Sequence, residues 1–228
     1  SKDAILSPST IAGYLRIRKN AMPGLMEVSL RSLSQEQVQN EINKMARNHS
    51  PKSIRNAHGL LSAVLASYRP DMVLRTTLPQ RQKTEVSIPD EDDLIRILEA
   101  ARGSSMELPI LLAVWLGLRA SEIRGITWDC IDGNILHIHQ AIVQGVNGPV
   151  LKGTKTYSGT RNLRMPDYIL KLLSSQPRVN EYVVQLSGQA MYKRFSRLCE
   201  REGLPHYRFH DLRHANASVM LALGVPDK

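Results

Sequence analysis

The spacing of apolar residues in the first third of the chain predicts helices. Val38, Ile42 and Met45 recur at an interval that places them on one helix face. Ser34 and Gln37 precede this stripe with the spacing of a capping box, in which each side chain accepts a hydrogen bond from the main chain of the other residue. We therefore predict a helix that begins directly after Ser34.

Two further helices follow from the same pattern. Ser50-Pro51 is typical of a helix start, because serine accepts main-chain hydrogen bonds and proline fits the first helical turn. An earlier helix is predicted from Ser9-Thr10 to Ile17. Residues 1–70 are thus expected to form a helical domain. The helix after Ser50 is predicted to bury a face formed by Ile54, Ala57, Leu61, Val64, Leu65 and Tyr68.

Segment 71–87 interrupts this pattern. It is rich in charge and proline and lacks a sustained period, which is typical of a linker. Asp90 and Glu91 then supply carboxylates to the first turn of a new helix, where they stabilise its N-terminus. We therefore predict a second domain over 88–228. The buried face of its first helix is predicted to consist of Leu94, Ile97, Leu98 and Ala101.

The second domain is predicted to combine helices with a small sheet. Ile135–Ile142 is rich in β-branched residues and predicts a strand, turn residues follow at 145–149, and Gly153 and Gly159 bracket another turn. The fold class is therefore mainly α with a small antiparallel β-sheet, with an N-terminal helical domain followed by an α+β domain. Later helices are predicted at 167–174 and 189–202.

Composition and charge narrow the choice of partner. The formal net charge of +9 and the pI near 9.8 favour a polyanion. We recognise no signal peptide and no apolar run of membrane-spanning length, so we expect a soluble protein without a membrane partner. Cys130 and Cys199 show no metal-ligand spacing, which favours reduced thiols in a cytoplasmic protein. His210 and His214 have the spacing of zinc ligands but lack the glutamate of H-E-x-x-H, so no metal is expected.

The first candidate for chemistry follows an apolar segment. Ile110–Leu118 is apolar almost all round, which predicts a helix buried on most sides. Arg119 comes next, and a charged group at the end of a buried helix needs a counter-charge or a bound anion. Glu122 lies three residues further on. Two interpretations stay open: the two residues form a structural ion pair, or Glu122 orients Arg119 toward a phosphate.

Two other segments carry candidate groups. His210, Arg213 and His214 share one face of a helix that is predicted to end at Gly224. A histidine that exchanges a proton beside a guanidinium group suits phosphoryl-transfer chemistry, although His-x-x-Arg alone is also typical of a polar surface helix. Lys155 lies at the tip of the predicted hairpin, where a lysine usually contributes only to solubility.

Together these segments resemble the tyrosine recombinase (phage integrase) family. Gly117 to Asp132 matches the family's first arginine motif, G-L-R-x-S-E-I-x-x-L-x-W-x-D-I-D, with Ile126 at the leucine position and Cys130 preceding Ile131-Asp132. Thr154-Lys155-Thr156 with Ser158 matches its hairpin motif, T-K-T-x-x-S-x-R, although Arg161 follows Ser158 by one residue more than in the motif. His210 to Ala215 matches H-D-L-R-H-A at every position. The resemblance extends from about residue 88 to the C-terminus, and more loosely to the N-terminal segment.

The resemblance implies a metal-free transesterification that needs no nucleotide cofactor. A tyrosine attacks a DNA phosphodiester, which gives a 3′-phosphotyrosine and a free 5′-hydroxyl. Arg119 and Arg213 would stabilise the non-bridging oxygens. His210 would assist the proton transfer of the tyrosine or bind a phosphate oxygen. Lys155 would protonate the leaving 5′-oxygen, with Lys152 as the alternative.

Further residues and partners are implied in the same way. Glu122 and His214 would support the catalytic groups. The expected partner is double-stranded DNA at recombination sites, held by a homotetramer between a core-binding domain and the catalytic domain, with accessory DNA-bending proteins. Candidate DNA-binding side chains are Arg16, Lys52, Arg55, Lys152 and Arg161.

The chain departs from the family in one respect. The family's nucleophilic tyrosine lies well beyond the His-x-x-Arg motif, whereas all seven tyrosines here precede His210. We therefore expect an incompletely represented enzyme that cannot cleave DNA as given. A DNA-binding regulator derived from an integrase and a type IB topoisomerase remain alternatives, although the compact motifs and the small helical N-terminal domain favour a recombinase.

Overall fold

A computed structural model describes residues 5–81, 87–153 and 159–222. The chain divides into two compact units. The first comprises Ser1–Thr84 with Gln144–Gly148, and the second comprises Glu85–Val143 with Pro149–Lys228. Within the described ranges, no helix is long and apolar enough to cross a membrane.

The first unit is helical. The predicted helix starts are confirmed, because Ser34 and Gln37 form both hydrogen bonds of the capping box, at 3.2 Å and 2.9 Å, and the Ser50 hydroxyl accepts from the main-chain N–H of Ser53. These local bonds satisfy N–H groups that have no partner inside the helix. The helices of this unit are α1 (Pro8–Asn20), α2 (Pro23–Met26), α3 (Gln35–Ala46) and α4 (Pro51–Tyr68).

The core of the first unit lies between α3 and α4, as the apolar stripes predict. One position was predicted wrongly. Tyr68 is 72% exposed, because it is the last residue of α4 and the chain leaves the helix at Arg69. The buried core residues on these two helices are Val38, Ile42, Met45, Ile54, Ala57 and Leu65.

The segment predicted as a linker is packed against the first unit over much of its length. The Gln35 side chain bonds the main chain of Val73 and Arg75, and the Gln39 side chain bonds both main-chain groups of Thr77. Met72, Leu74 and Leu78 pack on the apolar core. Residues 82–86 lie outside the described ranges. The part of the predicted 71–87 linker that runs from Met72 to Leu78 therefore belongs with the first unit, because it satisfies its polar groups and buries apolar side chains on α3 and α4.

The second unit contains helices and two small antiparallel sheets, which confirms the predicted fold class. Its helices are α5 (Glu91–Ala101), α6 (Glu107–Leu116), α7 (Ala120–Gly125), α8 (Asp167–Ser174), α9 (Gly188–Arg201) and α10 (Asp211–Ala222). Its strands are β1 (Ile131–Asp132), β2 (Ile135–Ile138), β3 (Gln140–Gly145), β4 (Gly148–Gly153) and β5 (Arg161–Arg164).

The single strand predicted over Ile135–Ile142 is in fact two strands. β2 lies between β1 and β5, and Leu136 pairs with Leu163 in the β2–β5 register. β3 pairs with β4 in a separate sheet. The break falls at the exposed His139, where the chain leaves one sheet and enters the other. A run of β-branched residues does not reveal this change of partner.

Helix α6 forms the centre of the second unit. Its residues from Glu107 to Ala113 are all buried, as the apolar sequence predicts. The helix begins and ends earlier than predicted, because Gly117 adopts a left-handed conformation with φ of 61° and stops it. α10 and α7 both contact α6. The turn at Gly117 therefore brings Arg119 next to the helix that carries Arg213.

Candidate active site

Arg119 lies at the start of α7, directly after the turn that ends α6. Its main-chain N–H donates to Glu122 Oε2 at 2.9 Å, and its guanidinium Nη1 donates to Glu122 Oε1 at 2.9 Å. The Glu122 side chain is almost fully buried, whereas 52% of the Arg119 side chain is exposed. Glu122 therefore fixes one edge of the guanidinium group and leaves the rest of it open to a ligand.

Arg161 of β5 brings a second guanidinium group to the same carboxylate. Its Nη2 lies 3.0 Å from Glu122 Oε2, and its Nη1 donates to Glu122 Oε1 at 3.3 Å. Burial by itself would raise the pKa of Glu122, but hydrogen bonds from Arg161 and from the Arg119 main chain outweigh it and lower the pKa below its usual value. Glu122 is thus held ionised between two arginines, although Arg161 was predicted from the sequence only as a DNA contact.

Arg213 of α10 approaches from the other side. Its Nη1 donates to the main-chain oxygen of Gly117, in the turn before Arg119. Burial lowers the pKa of Arg213, and the positive charges of Arg119 and Arg161 lower it further. Two guanidinium groups therefore pair with the single carboxylate of Glu122, and the charge of a third, that of Arg213, acts near the same place. The surplus of positive charge suits a bound anion, and an Arg fork suits a phosphate in particular.

His210 lies directly before α10 and faces His214. Their ring centroids are 4.7 Å apart and the rings are nearly perpendicular, at 84°. Burial lowers the pKa of His210, and the neighbouring His214 and Arg213 add to the effect. His210 is therefore held in its neutral form near neutral pH, in which it can accept a proton.

The start of α10 is fixed by Asp211. This buried carboxylate accepts from the main-chain N–H of Arg208 at 2.7 Å and from the Arg208 guanidinium group. Such an arrangement stabilises the helix N-terminus and orients the residues on either side of Asp211. Asp211 thus supports the geometry of His210 and Arg213 without facing the anion site.

The other predicted positions have separate locations. Lys155 lies outside the described residues, whereas Lys152 is half-buried on β4. Arg16 and Lys52 are exposed on α1 and α4 of the first unit, as a role in DNA contact requires. Arg55 is a different case, because its Nη2 donates to the Pro79 main-chain oxygen at 2.8 Å. Arg55 therefore holds the segment after α4 through this bond, and its contact with DNA stays a prediction.

Sequence reasoning missed the contacts that join the motifs to one another. Arg161 and Glu122 are 39 positions apart in the sequence, and no local sequence pattern predicts the contact between them. Asn216 donates to the main chain of α6 at Val114, 102 residues away. The only sequence signal for Asn216 is its position three residues after Arg213, which places both on one face of α10.

The second unit combines helices with small antiparallel sheets and brings two arginine motifs and a histidine together. This is the architecture of a tyrosine-recombinase catalytic domain. The family model of phage integrases matches residues 89–228. The chain belongs to the phage integrase family.

Curated relatives match over part of their length. A tyrosine recombinase XerC-like protein of Caldanaerobacter subterraneus subsp. tengcongensis is 22% identical over 192 residues, which are 69% of this chain and 49% of the relative. An integrase of Streptomyces ambofaciens is 30% identical over 122 residues, which are 49% of this chain and 31% of the relative. The aligned part of the chain thus spans about half the length of the first relative and about a third of the second.

Solved structures share the fold. The Tn1549 transposon integrase in complex with transposon right end DNA superposes with a TM-score of 0.77 at 16% identity, over 99% of this chain and 84% of that one. A lambda integrase tetramer bound to a Holliday junction superposes with a TM-score of 0.73 at 18% identity, over 94% of this chain and 68% of that one.

Proposed function

We propose that this chain carries the phosphate-binding active-site residues of a site-specific recombinase that acts through a 3′-phosphotyrosine intermediate. The observation that carries the proposal is that Arg119 and Arg161 share one buried carboxylate, Glu122, while Arg213 bonds the turn directly before Arg119. Membership of the phage integrase family and the likeness to integrases solved with DNA support it. The proposed substrate is duplex DNA, and the net charge of +9 favours that polyanion.

The arginines would stabilise the transition state. Attack on the phosphodiester forms a pentavalent centre whose non-bridging oxygens gain negative charge. Arg119 and Arg213 would donate to these oxygens, since Arg119 is half-exposed and Arg213 uses only one of its donors on Gly117. Because these donors are held in place before the reaction, little reorganisation is needed when the charge develops.

Proton transfer would involve two further groups. The oxygen of the attacking tyrosine forms a bond to phosphorus, its proton passes to His210 or to solvent, and the bond from phosphorus to the 5′-oxygen breaks. The leaving 5′-oxygen takes a proton from Lys155, or from Lys152 of β4 if that residue reaches it. The free 5′-hydroxyl can then attack a second phosphotyrosine, so the bond energy is retained and no cofactor is consumed.

We further propose that none of the seven tyrosines of this chain is the attacking residue, since all of them precede His210 whereas the family's nucleophile follows that motif. Tyr207 donates its hydroxyl to Asp93 and Tyr168 donates to Glu107, so both hydroxyls are engaged away from Arg119 and Arg213. A homotetramer on DNA, as in the lambda integrase structure, is the assembly we propose for strand exchange. Accessory DNA-bending proteins are further proposed partners.

The test is covalent trapping by the full-length protein on a nicked suicide substrate. Arg213→Lys keeps the charge but loses the planar fork, so cleavage should fall by about 10²–10³-fold, the scale of losing one preorganised donor. Arg119→Lys should behave in the same way. Duplex binding should change little, because it is shared among many contacts. Arg201→Lys is the matched control, since Arg201 pairs with its neighbour Glu202 at the end of α9.

Three results would contradict the proposal. The first is cleavage by Arg213→Lys at the rate of the unsubstituted protein, and the second is a loss of binding in proportion to cleavage; either would mean that Arg213 only docks DNA. The third is a trapped product in which peptide mapping finds the phosphate on Tyr192 or on another tyrosine of these 228 residues. That last result would show that the nucleophile had been assigned wrongly.

A further inference from the structure

The turn between α6 and α7 is held by two side chains of α10. The last carbonyls of a helix have no partner within it and need one from elsewhere. Asn216 Nδ2 donates to the Val114 oxygen at 2.7 Å and lies 3.4 Å from the Trp115 oxygen. Arg213, one turn earlier on the same face of α10, donates to the Gly117 oxygen. Every one of these bonds ends within a few residues of Arg119.

We propose that Asn216 is a positioning residue for the cleavage reaction, which sets the placement of Arg119 relative to Arg213. This inference rests on the function proposed above. Asn216 uses its amide on the α6 carbonyls and so does not itself face the anion site. Its bond joins the end of α6, from which the chain continues to Arg119, to the helix that carries Arg213.

The surroundings of Gly117 show how closely Asn216 packs against this turn. A Cβ atom at Gly117 would lie 2.7 Å from Asn216 Oδ1, and the φ of 61° already disfavours any other residue there. The Asn216 amide nitrogen thus donates to the α6 carbonyls, while the amide oxygen lies against the Cα of Gly117. A side chain of another shape or without an N–H donor leaves this turn free to shift against α10.

Such a shift would act on the chemistry through geometry. Two guanidinium groups stabilise one pentavalent centre only when both reach its oxygens, and a displacement of about 1 Å at a reacting centre can cost on the order of 10²-fold in rate. Binding of duplex DNA draws on many more contacts and tolerates the shift. Loss of Asn216 should therefore lower the cleavage rate far more than DNA affinity.

The experiment uses the full-length protein with two substitutions at this position. Asn216→Ala removes the amide, and Asn216→Asp keeps the size but removes the donor. Each should cleave about 10–100-fold more slowly at saturating DNA, with affinity changed by less than about threefold. Ser218→Ala is the matched control. It lies on the same helix, and its hydroxyl bonds only the His214 main-chain oxygen among the described contacts, so it should cleave normally.

A second substrate separates positioning from a merely structural role. A methylphosphonate at the scissile position replaces one charged oxygen with a methyl group, so its transition state depends less on the guanidinium groups. If Asn216 acts by placing Arg119 and Arg213, the rate loss of both Asn216 variants should shrink on this substrate, as should that of Arg213→Lys. Equal losses on the two substrates, or normal cleavage by Asn216→Asp, would overturn the inference.

The outcome also separates this inference from the function on which it rests. If Arg213→Lys cleaves both substrates normally, the proposed active site is wrong. If Arg213→Lys is impaired and both Asn216 variants are normal, only the positioning role is wrong. Thermal melting shows whether Asn216→Ala folds. If it does not fold, the isosteric Asn216→Asp variant tests the positioning role instead.

Discussion

At the scale of single residues, the site depends on one carboxylate, that of Glu122, which accepts hydrogen bonds from several donors. Glu122 accepts from the guanidinium groups of Arg119 and Arg161 and from a main-chain N–H, while its own side chain is almost fully buried. A buried carboxylate is tolerated only when it is paired and hydrogen-bonded in this way. Because Glu122 is shared, Arg119 keeps donors that have no partner among the residues the structure describes, and a surplus of positive charge remains beside Arg213. The same proximity acts on His210, whose pKa is lowered first by burial and then by neighbouring positive charge.

A titration of His210 tests this electrostatic picture in the 228-residue chain itself. The ring should titrate below the ordinary value of 6.5, as followed by NMR. His214→Gln should raise the midpoint, since the charge of His214 contributes to the shift. The unfolded chain takes up this proton at the ordinary pKa and the folded chain only at a lower pH. Stability should therefore fall as the pH drops through 6.5 toward the folded pKa, and less so in His210→Asn. A midpoint at or above 6.5 would refute the assignment.

At the scale of elements, close approach of backbones fixes α7 against β3. A Cβ atom added at Gly125 would lie 2.9 Å from the Ala141 Cα, which is main chain and cannot swing aside. This contact and the Gln140 side chain, which donates to the Gly125 oxygen at 2.8 Å, hold the helix that carries Glu122 against the strand. The position of Glu122 therefore depends on a glycine three residues away.

Two glycine substitutions should change stability in opposite directions. Gly125→Ala forces α7 away from β3 and should lower the free energy of unfolding by about 1–3 kcal/mol, the usual cost of overpacking. Gly59→Ala lies within α4, where an added Cβ meets nothing within 4 Å. It should raise the free energy of unfolding by about 0.5–1 kcal/mol, because alanine favours the helix. Urea unfolding of both variants measures the difference, and equal effects would refute the assigned contact.

At the scale of the whole molecule, charge and the division into units bear on the proposed binding of DNA. The net charge of +9 lies almost entirely in the first unit, which contains 13 lysines and arginines but only 5 aspartates and glutamates, and its exposed basic residues include Arg16 and Lys52. The 72–79 segment is packed on α3 and α4, so the first unit extends past the last residue of α4. A boundary drawn at residue 70 would remove part of its packing.

DNA affinity should fall steeply with salt. Each phosphate contact contributes about −0.9 to the slope of log affinity against log salt, so several contacts should give a slope several times that value. Fluorescence anisotropy with a labelled duplex measures it. Cleavage of the chain after Arg81 should leave two folded units that each bind more weakly than the whole, because the two binding contributions are then no longer linked. A slope near zero would mean that the basic residues are ordinary solvated charge.

The sequence by itself determined the features that depend on residues within about one helical turn. The helix starts at Ser34, Ser50 and Asp90 are of this kind, because each capping side chain bonds a main-chain N–H three residues away. The same holds for Glu122, which bonds Arg119 three residues before it. The resemblance of the sequence motifs also indicated the family, which the family model confirms.

Only the tertiary structure decided which distant groups meet. Three contacts join residues that lie 38–102 positions apart in the sequence. They are the hydrogen bonds between Arg161 and Glu122, the bond from Asn216 to Val114, and the packing of the segment after α4. The division of the predicted strand at His139 likewise depends on which strands pair with each half. Apolar periodicity predicts which face of a helix or strand is buried, but not which other element packs against that face. Contacts of this kind follow from packing the whole chain, so no local pattern predicts them.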